Sequence, residues 1–330
     1  MRICIFEHSI VNHFGMVRGA AEIVDELFIG LHQAGVDVTY LVYKHPDLVH
    51  SFGNNVIELS QAEIEGLIEG QIPISNYFEG DIFHTQSSGK HVNYDLTGFN
   101  GKWVATCHGA DSEDAAAEFL VFVGKQQMQN HFNHFQSHQR SKKCYVAYNC
   151  YQKGLSFTDG PHDSIVHLSS LRSDKGVHLL PHIANATGRK IELYGSNLYP
   201  EYFDKYITPY LGTLINYHGP IDTIEQKNKM YSTAELFLHP ATFNEPFGIT
   251  LIESMICGVP FIGFNNGSLP ELKPKGSVLA NDLDDLCEII KSKRYACAAE
   301  TLISHASKFN SKNMVSNYIG IYRDALTYPY

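Results

Sequence analysis

Short apolar runs alternate with stretches of helical period along this chain, and that rhythm predicts parallel sheets with helices on both faces. "RICIFEH" (2–8) reads as the first strand. Ile23, Leu27 and Leu31 then share one face of a helix over 20–34, and "GVDVTYLVY" (35–43) reads as the next strand. "DIFHT" (81–85), "KWVATCH" (102–108) and "CYVAY" (144–148) continue the series. "SFTDGPHDS" (156–164) clusters polar and turn residues and is the best domain boundary. Beyond it, "IVHLSS" (165–170) and "KIELYG" (190–195) flank a helix expected to start near Lys175. "AELFLHP" (234–240) and "GVPFIGF" (258–264) flank another, expected to start near Gly248. "SKNMVSNYIGIYRDAL" (311–326) reads as an amphipathic terminal helix with Ser311 as its cap. The expected layout is a Rossmann-like α/β domain over 1–157, a second over 158–310, and a helix at 311–330 packing back toward the first. Two such domains imply a cleft, with sites outside the carboxyl ends of the strands.

A chain of 330 residues exceeds the roughly 250–300 at which single cores stop growing, which agrees with two domains. The formal charge of −10 argues against nucleic acid as a partner, since backbone phosphates demand an excess of Lys and Arg. Residues 125–143 depart from that balance, with Lys125, Arg140, Lys142 and Lys143, three histidines and no acid. Met128, Phe132 and Phe135 recur there at helical spacing. The stretch reads as a helix with a solvated basic face, or as a contact for an anionic acceptor or membrane surface. Seven cysteines, an odd number without any Cys-x-x-Cys, suit buried thiols in a reducing compartment. The opening "MRICIFEH" has neither a signal peptide nor a long apolar run, so the expected location is cytoplasmic, with a peripheral membrane contact left open.

The chemistry concentrates in "EPFGITLIESMICGVPFI" (245–262). On a helix starting near Gly248, Glu245 lies just outside the amino end and Glu253 one to two turns inside. The backbone N–H groups of Phe247, Gly248, Ile249 and Thr250 would be unpaired there, and with the helix dipole they form an anion site. Anions held by backbone and hydroxyls held by carboxylates together describe a nucleotide sugar.

Residues 234–272 closely resemble the signature of the family 4 retaining glycosyltransferases of the GT-B fold. That signature is Glu-x7-Glu after a strand ending in Pro and before Gly-x-Pro, and Glu245, Glu253 and the "EPFG" form satisfy it. The resemblance implies a metal-independent transfer of a sugar from a nucleotide-diphosphate donor, most commonly a UDP-sugar, to an acceptor hydroxyl. It implies no cofactor besides that co-substrate. "LRSDKGVHLL" (171–180) resembles the segment whose Lys175 contacts the donor diphosphate; position 170, where the family carries Arg, is serine, and Arg172 is the nearest substitute. "ELYGSN" (192–197) resembles the element beside the nucleotide base, which brings in Gly195. "VATCHGAD" (104–111) resembles the strand ending in His-Gly, which implies His108 near the reacting sugar. "FGMVRGAAE" (14–22) is similar to the glycine-rich loop after strand one and nominates Gly15 and Gly19. By resemblance Glu245, His108 and Lys175 are the catalytic set, Glu245 orienting the donor sugar and Glu253 binding the ribose. The acceptor class stays open among glycans, lipid-linked carriers and small molecules. "DLD" (282–284) matches the Asp-x-Asp pattern of metal-dependent glycosyltransferases, but its place before "LCEII" reads as a helix cap at Asn281 and Asp282. Another GT-B enzyme such as a sugar-nucleotide epimerase, and a noncatalytic nucleotide-sugar sensor, are the alternatives.

Overall fold

The computed structural model describes residues 1–7, 18–87, 92–109, 117–134, 143–158 and 162–329. Two units result: Met1–Asn149 together with Ser311–Tyr330, and Cys150–Asn310. The chain therefore changes unit at Asn149, before the polar 156–164 stretch rather than within it.

In the first unit, strands β1 (Arg2–Glu7), β2 (Asp37–Tyr43), β3 (Val56–Leu59), β4 (Ile82–Ser87), β5 (Lys102–Cys107), β6 (Phe119–Phe122) and β7 (Lys143–Val146) form one parallel sheet in the order 3-2-1-4-5-6-7. Helices α1 (Arg18–Gln33), α2 (Pro46–Phe52), α3 (Gln61–Ile68) and α4 (Lys125–His134) connect them. Central parallel strands are covered on both faces, so they read as continuous apolar runs. Five of the six residues of β1 and all four of β6 are buried. The topology reverses between β1 and β4, where a doubly wound sheet opens a crevice at its carboxyl edge.

The second unit is built from β8 (Ser164–Leu168), β9 (Ile191–Tyr194), β10 (Ile215–Tyr217), β11 (Ala234–His239) and β12 (Phe261–Gly263), all parallel in the order 10-9-8-11-12. Its helices are α5 (Leu180–Thr187), α6 (Pro200–Tyr206), α7 (Ile224–Thr233), α8 (Ile249–Ile256), α9 (Leu269–Leu272), α10 (Leu283–Lys291) and α11 (Ala299–Ala306). Here the reversal falls between β8 and β11. The loops leaving those two strands carry Lys175 and Glu245.

Helix α12 (Ser311–Thr327) groups with the first unit. Its buried residues, Met314, Val315, Tyr318, Ile321, Tyr322 and Ala325, recur at helical spacing. Close approach is possible because Gly30 of α1 has no side chain; a Cβ there would lie 2.4 Å from Val315 Cγ2.

Several local expectations shift. No α-helix begins at Lys175: Gly176 adopts φ +70°, a 3₁₀ turn follows over Val177–Leu179, and α5 starts at Leu180 with Pro181 in its first turn. Ser311 is the first helical residue rather than the cap. The basic segment forms α4 over Lys125–His134, and residues 135–142 lie outside the described set. Lys143 is strand residue and ion-pair partner of Asp324 on α12, with its ammonium 4.6 Å from the Tyr328 ring centroid, so it does not extend a basic face. Asp282 caps α10, its Oδ1 accepting from the Asp285 amide at 2.8 Å. Five of the seven cysteines, Cys4, Cys107, Cys150, Cys257 and Cys287, are buried. Among the described residues, no helix is long and apolar enough to cross a membrane.

Candidate active site

The loops after β8 and β11 meet through the backbone. Thr242 donates its amide to the Asp174 carbonyl at 2.9 Å. Gly176 lets them touch: a Cβ there would stand 1.9 Å from the Pro240 carbonyl oxygen, and its positive φ already disfavours any other residue. A second clamp fixes the far side of the β11 loop. Ser268 donates its amide to Glu245 O at 2.9 Å and its hydroxyl to Phe247 O at 2.6 Å.

This scaffold brings Lys175 and Glu245 together. Lys175 Nζ donates to Glu245 Oε2 at 2.6 Å, and both side chains are largely buried, 17% and 12% exposed. The same ammonium lies 4.5 Å from the Phe243 ring centroid. Burial by itself would raise the Glu245 carboxyl, but the Lys175 charge and the adjoining His239 outweigh it and hold the group down at about 2. His239, the last residue of β11, places Nε2 3.4 Å from Glu245 Oε2. It is 3% exposed, and neither ring nitrogen has a hydrogen-bond partner. Buried polar atoms without partners are exceptional, and a bound polar ligand would satisfy them. Neighbouring His167 on β8 is complete by contrast: Nδ1 donates to Leu238 O at 2.8 Å, and burial pushes the ring down to about 3.

Glu253 sits in α8 at zero exposure. Its Oε1 accepts from Lys227 Nζ at 2.8 Å, while Oε2 is buried without a partner. Lys227 also donates to Gln152 Oε1 at 2.8 Å and rides on α7, whose start is fixed by a Thr223–Gln226 capping box. Helix α8 opens at Gly248, which has φ +83° and supplies no side-chain cap. The amides of the first turn, Ile249 and Thr250 included, thus have no intrahelical acceptor. Phe247 contributes only backbone to this mouth, since its ring is 2% exposed and packs 5.9 Å from that of Phe309.

The remaining candidates are placed differently. Arg172 lies on the Lys175 loop, but its guanidinium is engaged in both directions by Asp174, at 3.0 and 2.6 Å. Gly195 follows β9, with its amide bonded to Gly219 O and its carbonyl to the Tyr217 hydroxyl. Gly19 is the second residue of α1 and is exposed; Gly15 lies outside the described residues. His108 follows β5 in the first unit, with Nε2 2.8 Å from Gln86 Oε1, and burial pushes its ring down to about 4. His239, Lys227 and Gln152 were not singled out from sequence. His239 alone had a signal there, as the polar residue closing the strand before Pro240; Lys227 and Gln152 come from a polar helix and an irregular segment.

Two all-parallel α/β units, each reversing topology at a loaded carboxyl edge, are the GT-B architecture. Residues 158–281, which hold Lys175, Glu245 and Glu253, match the family described as Glycosyl transferases group 1. The similarities to particular proteins are of two kinds. A stretch of 101 residues is 31% identical to O-antigen chain mannosyltransferase B of Escherichia coli, covering 28% of this chain and 26% of that protein. The matched part spans only about a quarter of the curated relatives' length. Among solved structures, sucrose-phosphate synthase from Thermosynechococcus elongatus superimposes with a TM-score of 0.77 at 17% identity, over 98% of this chain and 99% of that one. Anabaena HepE, solved with UDP and glucose, gives 0.73 at 15% identity over 98% and 100%. At such identities these structures speak for the fold.

Proposed function

We propose that this protein transfers a sugar from a nucleotide-diphosphate donor, by preference a UDP-sugar, to an acceptor hydroxyl, retaining the anomeric configuration and using no metal ion. The observation that carries the reading is the Lys175–Glu245 pair at the strand reversal of the group 1 domain, with Glu253 eight residues further on holding an unpartnered oxygen.

Glu245, held at about 2, is ionised at any working pH, so it accepts hydrogen bonds and has no proton to give. That suits orientation of sugar hydroxyls and argues against a general acid. A diphosphate would be repelled by Glu245, so Lys175 stands between the two and serves the diphosphate. The uncapped first turn of α8 adds N–H donors and the positive end of the helix dipole. Glu253 Oε2 takes a ribose hydroxyl. His239, with Nδ1 unpartnered and Nε2 3.4 Å from Glu245 Oε2, is a further contact for the sugar or phosphate.

In the reaction the acceptor oxygen bonds to the anomeric carbon on the face from which the diphosphate departs. The broken C–O bond's electron pair leaves with the diphosphate, which takes up the acceptor's proton. Lys175 and the α8 amides stabilise the charge growing on that leaving group, the kind of preorganised contact that dominates such catalysis. His108 holds the sugar or the incoming hydroxyl. The acceptor is a glycan, a lipid-linked carrier or a small molecule.

The test is release of nucleoside diphosphate from a panel of nucleotide sugars, with chelator present and Glu245→Gln as control. Release from one donor, lost in the variant, supports the reading. Absence of both release and calorimetric nucleotide binding across the panel would sink it.

A further inference from the structure

Strand β5 is paired on both sides as far as Cys107, with Ser87 of β4 and Phe122 of β6, and both registers stop there. The chain runs on through His108 and Gly109 while β6 runs on to Val123, and a fork opens between them. One side chain closes it. Gln127 of α4, 5% exposed, donates through Nε2 to the carbonyls of Cys107 and Gly109, at 2.8 and 2.7 Å, and accepts through Oε1 from the Val123 amide at 2.9 Å. A side-chain amide donates only through nitrogen and accepts only through oxygen. Turned the other way, its oxygen would face two carbonyl oxygens and its nitrogen an N–H, so the three bonds fix its orientation. Gln127 supplies the donors and the acceptor that one more strand residue would bring.

Helix α4 holds that side chain in place. Met128 packs against the core of the first unit, and the His131 ring lies 5.0 Å from that of Phe122. The basic stretch that begins at Lys125 therefore meets this turn with a neutral side chain. Between the two clamped carbonyls stands His108, with Nε2 2.8 Å from Gln86 Oε1. One bond at a ring atom lets the ring pivot about it. Peptide groups fixed on both sides of the residue take that freedom away.

We propose that Gln127 is a positioning residue for His108, its side-chain amide closing the fork between β5 and β6 and so fixing where the His108 ring stands. The inference deepens the functional reading above and rests on it for the role of His108. A reacting group displaced by about 1 Å can cost about 10²-fold in rate, which sets the scale of the effect.

Two measurements on full-length protein need no substrate. In the wild type the Gln127 side-chain NH₂ should exchange with solvent at least about 10-fold more slowly than those of the exposed Gln126 and Gln129, the worth of one net hydrogen bond. Gln127→Met keeps the length of the side chain and removes all three bonds. In that variant the Val123 amide should exchange at least about 10-fold faster. Its His108 ring, followed by ¹⁵N–¹H spectra of histidine-labelled protein, should titrate above the wild-type value of about 4, toward the ordinary 6.5. Transfer should follow, with kcat down about 10²-fold at unchanged donor KM, since the residues assigned to the diphosphate and ribose lie in the second unit. A side chain that only stabilised the fold would lower the unfolding midpoint and leave the His108 titration and kcat of the folded variant as in the wild type; that result overturns the inference. So does a Gln127 NH₂ that exchanges like those of Gln126 and Gln129, or a displaced His108 with kcat unchanged. Wild-type protein that transfers no sugar fails the functional reading instead, and the exchange and titration results show the two failures apart. Should Gln127→Met not fold, Gln127→Asn sets the amide one methylene short of the carbonyls and should give the same shifts in smaller measure; wild-type behaviour there also overturns the inference.

Discussion

Replacing Lys175 by methionine keeps the length and apolar stem of the side chain and removes its charge. Glu245 is then left in a largely buried place with only His239 beside it. Its carboxyl lies at about 2 in the folded protein against an ordinary 4.5, and at 1.36 kcal/mol per unit the interactions that lower it contribute about 3 kcal/mol near neutral pH. Measured losses on breaking one side of a buried ion pair, about 3–5 kcal/mol, agree. The sign follows from the depressed value. The contribution is complete above pH 4.5 and fades as pH falls toward 2, so the gap between wild type and variant should shrink to about 1 kcal/mol at pH 3. Trp103, the single tryptophan, lies in the first unit and does not report on this site. Native-state hydrogen exchange of the β8 and β11 amides reads the second unit at pH 7, and scanning calorimetry carries the comparison to pH 3. Lys175→Met/Glu245→Gln, which removes both charges, should recover most of the loss. A single variant within about 0.5 kcal/mol of wild type, the range of ordinary surface substitutions, would refute the claim that this pair holds the site together.

Glu253→Gln should weaken nucleotide binding about 10-fold or more by calorimetry, since a ribose hydroxyl loses a charged acceptor; equal affinity would remove Glu253 from the donor site. Gly176→Ala should destabilise the second unit by at least about 1–3 kcal/mol, because φ is +70° and the new Cβ would stand 1.9 Å from Pro240 O; hydrogen exchange within the Lys175 loop indistinguishable from wild type would contradict this. The first unit should lose stability as pH falls below 6.5. His84 and His108, at about 3 and 4 when folded, stay neutral while their unfolded counterparts take up protons, a loss of about 4 kcal/mol by pH 5. His45, raised by its hydrogen bond to Asp25, opposes them as one group against two. Urea unfolding followed by Trp103 fluorescence measures it, and a midpoint that does not move between pH 7 and pH 5 would count against neutral burial.

Where apolar period alone decides an element, sequence sufficed. β1, β2, β5, β11 and α12 run where their patterns place them, because continuous burial of a parallel strand and a single buried helix face both leave one-dimensional traces. β3, β6 and β10, of four, four and three residues, were not read. The Glu245 and Glu253 spacing was legible for the same local reason, since both belong to one turn-and-helix segment. Lys175 was legible only by resemblance, and its loop by neither route, because a left-handed glycine and a proline moved the helix start. What tertiary structure decided is which distant groups meet. Glu245 lies 70 residues from Lys175, and Glu253 lies 26 from Lys227. Tyr322 lies 238 residues from His84. No periodicity records such pairs. They exist because parallel strands bring the carboxyl ends of remote segments side by side, and because the terminal helix returns to the first sheet through the gap left by Gly30.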